Sequence, residues 1–121
     1  MNNVKWVKLC TDIFSNRKVK ILLKERDGDT FFRVWIQLLS IAVECGNDGR
    51  LGIGEKPITY GDCAKIMGKT SDKIRRIMEE FLELGMLKKE GETFLIKNWE
   101  KYQSIDKYEN YQENNRQRQR K

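Results

Sequence analysis

Basic and hydroxyl side chains gather at positions 69–76, where they could bind the phosphates and base edges of a nucleic acid. Arginine can bind guanine through two hydrogen bonds, and threonine or serine can reach bases or phosphates. The segment opens a predicted helix whose second half is acidic, with Glu79, Glu80 and Glu83. We therefore predict that DNA contact is confined to the first turns of this helix. The candidates are Lys69, Thr70, Ser71, Lys73, Arg75 and Arg76.

The same charges have a plainer interpretation. Arg75–Glu79 and Arg76–Glu80 are each spaced four residues apart, as in ordinary ion pairs on a solvated helix. Such pairs stabilise a helix by about 0.2–0.5 kcal/mol each. Both interpretations of the arginines stay open at the level of the sequence.

Two further groups of cations follow in the sequence. Lys88, Lys89 and Lys97 lie on a predicted hairpin, where alternation turns Leu87, Phe94 and Ile96 inward and leaves the lysines outward. Exposed lysines there could meet phosphates, or could equally protect the sheet edge from aggregation. The last six residues carry four positive charges, which would give a log–log salt slope of roughly −3.6 on duplex DNA. These are Arg116, Arg118, Arg120 and Lys121.

No constellation in the sequence indicates catalysis or a metal site. The chain has no histidine, and Cys10, Cys45 and Cys63 show no C-x-x-C spacing, whereas a structural zinc needs about four ligands. The segment 68–70 (GKT) resembles the end of a phosphate-binding loop, but position 63 is a cysteine where that loop needs glycine. We expect no enzyme activity, no metal, no cofactor and no small-molecule substrate.

The basic segment is positioned by a predicted helix–turn–helix followed by a hairpin. The first helix opens at Thr59, and the second starts at Ser71, where a Ser-Asp pair can cap it. Its apolar residues recur at i, i+3, i+4 and i+7, and Gly85 ends it. Strands at 86–90 and 93–97 flank a turn at Gly91. The predicted fold is mainly α with a small antiparallel β wing, a winged helix-turn-helix.

The N-terminal half is predicted to form two helices, one of them the core helix, and two short extended segments. A helix capped by Ser15 or Asn16 is predicted to run to about Arg26. Asp29 or Thr30 should cap a longer core helix from residue 31 to about 45. Residues 50–53 are expected to close the wing sheet. Residues 5–9 alternate and could form a strand that pairs with the wing or another subunit, so Trp6 and Val7 are the candidates for oligomerisation.

Length and composition favour one small domain with a tail. The chain has 121 residues, 39% hydrophobic residues and a net charge of +6, which favours an anionic partner. We assign residues 1–104 to a DNA-binding and oligomerisation domain, and 105–121 to a basic tail or a linker to a missing C-terminal domain. No apolar run reaches the roughly 18 residues of a membrane span, and no signal peptide is visible, so we expect a cytoplasmic protein.

Several segments together resemble a known family. They are residues 6–9 (WVKL), 28–30 (GDT), 34–39 (VWIQLL), 70–76 leading to 81–86, and 96–103 with its Asn-Trp-Glu-Lys segment. The chain resembles the N-terminal domain of phage replisome organizer proteins, related to the DnaD-like primosome proteins of Gram-positive bacteria, over nearly all of residues 4–104. The resemblance implies a winged-helix module that binds origin DNA, self-associates and helps bring the replicative helicase or its loader to the origin.

Two other functions fit the same sequence. A transcriptional repressor would use the same winged helix on a symmetric operator. A protein-interaction module would oligomerise through Trp6, Val7 and the tail tyrosines Tyr102, Tyr108 and Tyr111, while binding DNA weakly. Those tyrosines could also stack on single-stranded bases.

Overall fold

The structure, a computed structural model, describes residues 6–99. Within this range a 3-10 turn (Ile13–Ser15) is followed by helices and short strands in the order α1 (Arg17–Lys24), α2 (Gly28–Cys45), β1 (Gly52–Ile53), β2 (Lys56–Pro57), α3 (Tyr60–Met67), α4 (Ser71–Glu83), β3 (Leu87–Glu90) and β4 (Thr93–Ile96). β1 pairs with β2 and β3 with β4, both antiparallel. The described fold is mainly helical with small antiparallel hairpins, as predicted. No helix in residues 6–99 is both long enough and apolar enough to cross a membrane.

The first two helices meet at a tight turn. Asn16 caps α1, because its side-chain oxygen accepts from the N–H groups of Lys18 at 2.9 Å and Val19 at 3.3 Å. α2 begins at Gly28, three residues before the predicted start, so the predicted cap at Asp29 or Thr30 is wrong. Asp27 precedes the helix in the left-handed conformation (φ 67°), and its backbone oxygen accepts the N–H of Thr30 at 3.0 Å.

α3 and α4 are joined by residues 68–70, which form a turn between helices. Thr59 caps α3 in a reciprocal capping box with Asp62. α4 begins at Ser71 as predicted, but its cap is Thr70, whose hydroxyl accepts the N–H of Lys73 at 3.1 Å. At the other end the N–H of Met86 donates to the Phe81 oxygen at 2.9 Å across Gly85 (φ 72°), so the predicted glycine stop is confirmed.

The β3–β4 hairpin is extended by the segment that follows α2. Leu51 N–H donates to Phe94 O, and Ile96 N–H donates to Gly49 O, both at 2.9 Å. Arg50 forms a bridge with Leu95. The prediction that this segment closes the wing sheet is confirmed at Arg50 and Leu51, whereas Gly52 and Ile53 pair with Lys56 and Pro57 instead.

One apolar core joins the helices to the hairpin. The rings of Trp35 on α2 and Phe81 on α4 meet edge to face, 5.3 Å between centroids. Leu22 of α1, Met67 of α3 and Phe94 of β4 belong to the same buried cluster. α4 is therefore fixed against α2, with its opposite face left to solvent.

The predicted N-terminal strand is absent from the part of it that the structure describes. Residues 6–10 belong to no strand, and Lys5 lies outside the described residues. Val7 packs against the core while Trp6 is 60% exposed. Val7 therefore turns inward, as the alternating pattern suggests. The described part of the segment lacks the backbone hydrogen bonds to a neighbouring strand that would make it a strand.

Candidate nucleic-acid interface

The solvent face of α4 changes charge along its length. Its apolar residues Ile74, Ile77, Met78 and Phe81 are fully buried, as predicted. The exposed residues run from Ser71, Asp72, Arg75 and Arg76 to Glu79 and Glu83. The basic part therefore lies near the helix N-terminus, where the partial positive charge of the helix also favours anions.

Arg75 opens a row of side chains that leads to the hairpin. Its guanidinium carbon lies 5.4 Å from the centre of the Tyr60 ring. The Tyr60 and Phe94 rings are 5.4 Å apart, and the Lys89 ammonium lies 5.1 Å from the centre of the Phe94 ring. We call Arg75, Tyr60, Phe94 and Lys89 the wing-side row. It presents two exposed cations on an aromatic support that connects α4, α3 and β4.

Tyr60 is the residue of this row that sequence reasoning missed. Burial is the main cause that raises the pKa of its hydroxyl, Glu79 raises it further, and Arg75 opposes the shift. An aromatic residue directly after a helix cap gave no local signal. Its position beside Arg75 follows from how α3 packs on α4.

The other side of α4 faces the start of α2. The Arg76 guanidinium lies 5.6 Å from the centre of the Phe31 ring. The Lys73 ammonium lies 6.0 Å from the same ring centre and 2.7 Å from a carboxylate oxygen of Asp27. Of these two candidates, Arg76 is exposed, whereas the charge of Lys73 is paired within the domain.

Both carboxylate oxygens of Asp27 have a partner within the domain. One oxygen contacts Lys73 and the other accepts the Thr30 hydroxyl at 2.8 Å. The hydrogen bond from Lys73 is the main cause that lowers the pKa of this carboxyl, followed by that from Thr30, and the charge of Lys69 adds to the effect. Sequence reasoning did not single out Asp27, because the pair spans 46 positions, from residue 27 to residue 73.

The ion pairs along α4 that were the alternative interpretation of its arginines do not occur among the described residues. The ion pairs found there are Arg50–Glu90, Lys73–Asp27 and Lys88–Glu90, so neither Arg75–Glu79 nor Arg76–Glu80 lies within 4.0 Å. Both arginines pack on rings instead. At the acidic end, partial burial raises the pKa of Glu80, and Glu25 and Glu83 raise it further.

The hairpin lysines are exposed as predicted, but they do not share a face. Strand register puts Lys89 opposite Phe94 and Lys88 opposite Leu95, on the other side of the sheet. Lys88 lies 3.4 Å from Glu90, whose second oxygen is 3.5 Å from Arg50. Only Lys89 is therefore on the same side as Arg75.

Lys97 lies near the opposite end of α4. A side-chain carbon added at Gly85 would be 3.7 Å from the Lys97 ammonium, and Lys18 donates to the Gly85 oxygen at 3.3 Å. The 13 residues of α4 span about 20 Å, so Lys97 is roughly a helix length from Ser71. The structure does not bring it together with the candidates at the helix start.

Of the remaining candidates, some lie near the start of α4 and others lie outside the described residues. Lys69 is partly exposed in the turn beside Asp27, and Thr70 uses its hydroxyl as a cap. Arg116, Arg118, Arg120 and Lys121 lie outside the described residues, as does the domain boundary at 104.

In the described part, no three His, Cys, Asp or Glu side chains are grouped as metal ligands would be. Trp6 remains a prediction for oligomerisation, and Val7 is turned toward the core.

Comparison with known proteins identifies the family. The model of the family described as N-terminal phage replisome organiser matches residues 6–121, nearly the whole chain. No curated protein and no solved structure matched. The chain therefore belongs to the family of N-terminal phage replisome organiser domains.

Proposed function

We propose that this chain is the DNA-binding module of a replication-initiation protein, and that DNA meets the start of α4 together with one face of the hairpin. Membership in the replisome organiser family supports a role in the initiation of replication. The observation that carries DNA binding is the pair Arg75 and Arg76. Both are exposed, and neither has an ion-pair partner among the described residues. The order α3, turn, α4, hairpin supports the proposal, because a winged helix-turn-helix would have its elements in this order.

The charges on α4 dictate how it would approach DNA. Glu79 and Glu83 would repel phosphates if the helix lay deep along a groove, so the helix enters with its N-terminal turns. Ser71 and Arg76 would then face base edges, while Arg75 and Lys89 of the wing-side row follow the backbone. Lys88 is on the opposite face beside Glu90 and contributes little.

The proposal extends to partners that follow from the family. The domain binds duplex origin DNA, and the cations of the tail add affinity that does not depend on DNA sequence. Single-stranded DNA is a second ligand to test. It forms homo-oligomers and helps recruit the replicative helicase or its loader in the host cytosol. It does so without catalysis, cofactor or metal.

A second candidate function is a pure assembly module. Exposed apolar side chains on the N-terminal side favour it, with Trp6 at 60% and Phe14 at 59% exposure. Self-association that survives loss of Arg75 and Arg76, without DNA binding in the parent chain, would support this function over DNA binding.

Fluorescence anisotropy with labelled duplex and single-stranded DNA across a salt series tests the main proposal. Arg75→Ala/Arg76→Ala is compared with Arg17→Ala/Lys20→Ala, which removes two exposed charges from α1. We expect at least about a tenfold loss of duplex affinity for the α4 variant, since one arginine contact is worth about 1–3 kcal/mol. The α1 variant should lose much less.

Two further comparisons refine the test. Lys89→Ala should weaken binding while Lys88→Ala should not, although the two residues are neighbours in sequence. A chain ending at Gln103 should show a salt slope shallower by about 3.6 if the tail neutralises four phosphates. If the Arg75→Ala/Arg76→Ala variant binds duplex DNA like the parent, recognition by α4 is refuted.

A further inference from the structure

We propose that Asp27 sets the DNA affinity of this domain by occupying, with its carboxylate, the place beside Lys73 that a DNA phosphate would otherwise take. This inference rests on the proposed function, because it assumes that DNA approaches the start of α4. It assigns to Asp27, a residue on the α1–α2 turn, the role of restraining a cation on α4.

The carboxylate of Asp27 already occupies the position beside Lys73 where another anion could bind. The Lys73 ammonium lies 2.7 Å from an oxygen of Asp27, and the Lys73 side chain is 26% exposed, so the pair is open to solvent and to a ligand. Thr30 donates to the other oxygen at 2.8 Å. A phosphate oxygen and a carboxylate oxygen accept the same charge-assisted hydrogen bond from an ammonium. Asp27 therefore competes with phosphate for Lys73.

The charges around the start of α4 are few, so the pairing of one cation changes the charge available to bind phosphate. Lys69, Lys73 and Arg76 supply three positive charges around the start of α4, and Asp27 and Asp72 supply two negative ones. Asp72 is exposed on the first turn and has no ion-pair partner among the described residues. Asp27 is the acid that engages a cation of this group directly.

A role in holding α2 against α4 does not account for the pair. Exposed ion pairs contribute little to stability. The two helices are joined by buried contacts instead, with Trp35 against Phe81 and with Val34, Ile74 and Ile77 in the same core. The Asp27–Lys73 ion pair is therefore a minor part of what holds α2 against α4.

The backbone of Asp27 permits a clean substitution. Its φ of 67° lies in the left-handed region, which asparagine and glycine also adopt. Asp27→Asn removes the charge and nearly keeps the shape, and Asp27→Gly removes the side chain in a favoured backbone conformation. Asp29→Asn is the matched control, because Asp29 is an exposed acid two residues away without a lysine partner among the described residues.

Duplex binding by anisotropy from 0.1 M to 1 M salt, on the full chain, gives the first readout. One added phosphate contact steepens the slope by about 0.9, which corresponds to an affinity gain of up to about eightfold at 0.1 M relative to 1 M salt. We expect this gain for Asp27→Asn and Asp27→Gly, and a smaller one for Asp29→Asn. Circular dichroism on each variant confirms that the folded fraction is unchanged.

A double-mutant cycle isolates the pair. Lys73→Ala should cost more affinity in the Asp27→Asn background than in the parent, since Lys73 meets phosphate only when freed. Equal costs, or a gain for Asp27→Asn no larger than for Asp29→Asn, would overturn the inference. Failure of the proposed function itself would appear separately, as an Arg75→Ala/Arg76→Ala variant that binds like the parent.

Discussion

At the residue scale, two adjacent hydroxyl residues at the start of α4 have different roles. The Thr70 hydroxyl accepts the Lys73 N–H at 3.1 Å, while Ser71 is the first helical residue. Thr70→Ala should lower the free energy of unfolding by about 1 kcal/mol, because a free N–H is left at the helix start. Ser71→Ala should change it by less than about 0.5 kcal/mol. Urea denaturation followed by circular dichroism measures both.

Thr70→Ser is the control for this prediction. It keeps the hydroxyl and so should retain most of the stability. A larger loss for Ser71→Ala than for Thr70→Ala would mean that the cap is at Ser71.

Residue-scale inference from sequence succeeded where the partner is local. The structure selects Asn16 from the two predicted caps of α1, places the start of α3 at Tyr60, one residue after the predicted Thr59, and confirms the stop at Gly85, all of which depend on atoms within a few positions. It could not find the partners of Lys73 or Arg75. Asp27 and Tyr60 reach them only after the chain has folded back on itself.

At the element scale, the contact between α1 and α2 depends on one small residue. A side-chain carbon at Gly28 would lie 2.5 Å from the backbone oxygens of Leu22 and Leu23. Gly28→Ala must therefore displace the turn, and we expect a loss of about 1–3 kcal/mol. Thermal unfolding followed by circular dichroism checks this.

Gly61→Ala is a matched control within α3. A carbon added there meets only the Thr59 hydroxyl at 3.7 Å, an ordinary contact. Alanine favours a helix over glycine by about 0.5–1 kcal/mol, so this variant should be neutral or more stable. Equal destabilisation by both substitutions would contradict the close approach at Gly28.

The elements that could be predicted are those with strong local signals. The start of α4 and, to within one residue, the strands β3 and β4 follow from apolar spacing and from glycines at the helix stop and the hairpin turn, although the cap of α4 is Thr70 and not the predicted Ser-Asp pair. The start of α2 was placed three residues too late, because the close approach of Gly28 to the backbone oxygens of Leu22 and Leu23 leaves no signal in the sequence. The predicted strand at residues 5–9 was wrong in its described part, since alternation alone does not provide a pairing edge.

At the scale of the whole molecule, the fold adds a charge from another helix to the basic-to-acidic gradient that α4 already has in the sequence. Arg75 and Arg76 lie in the N-terminal half of α4, whereas Glu80 and Glu83 lie in its C-terminal half, where the charge of Glu25, the residue that follows α1, also raises the pKa of Glu80. The lysines predicted to act together are dispersed: Lys88 and Lys89 lie on opposite faces, and Lys97 is near Gly85. Spacing along the chain could predict which residues are exposed, but not which of them share a surface.

This separation predicts how the stability of the domain depends on pH. Partial burial and the two nearby glutamates raise the pKa of Glu80 in the folded state. The folded protein therefore holds the Glu80 proton more tightly than the unfolded chain, and ionised Glu80 destabilises the fold. The penalty is complete above the pKa of Glu80 in the folded protein and absent below its pKa in the unfolded chain. Glu80→Gln should thus raise the melting temperature at pH 7, modestly because Glu80 is partly exposed.

Differential scanning calorimetry at pH 7 and pH 3 checks the sign. At pH 3 the parent carboxyl is protonated in both states, so the advantage of Glu80→Gln should vanish. Glu79→Gln, which removes the same charge from the exposed face of α4, should raise the melting temperature less at pH 7. An equal gain at both pH values would show that the glutamine stabilises by packing rather than by loss of charge. No gain at pH 7 would mean that neither burial nor the charges of Glu25 and Glu83 penalise ionised Glu80 in the folded domain.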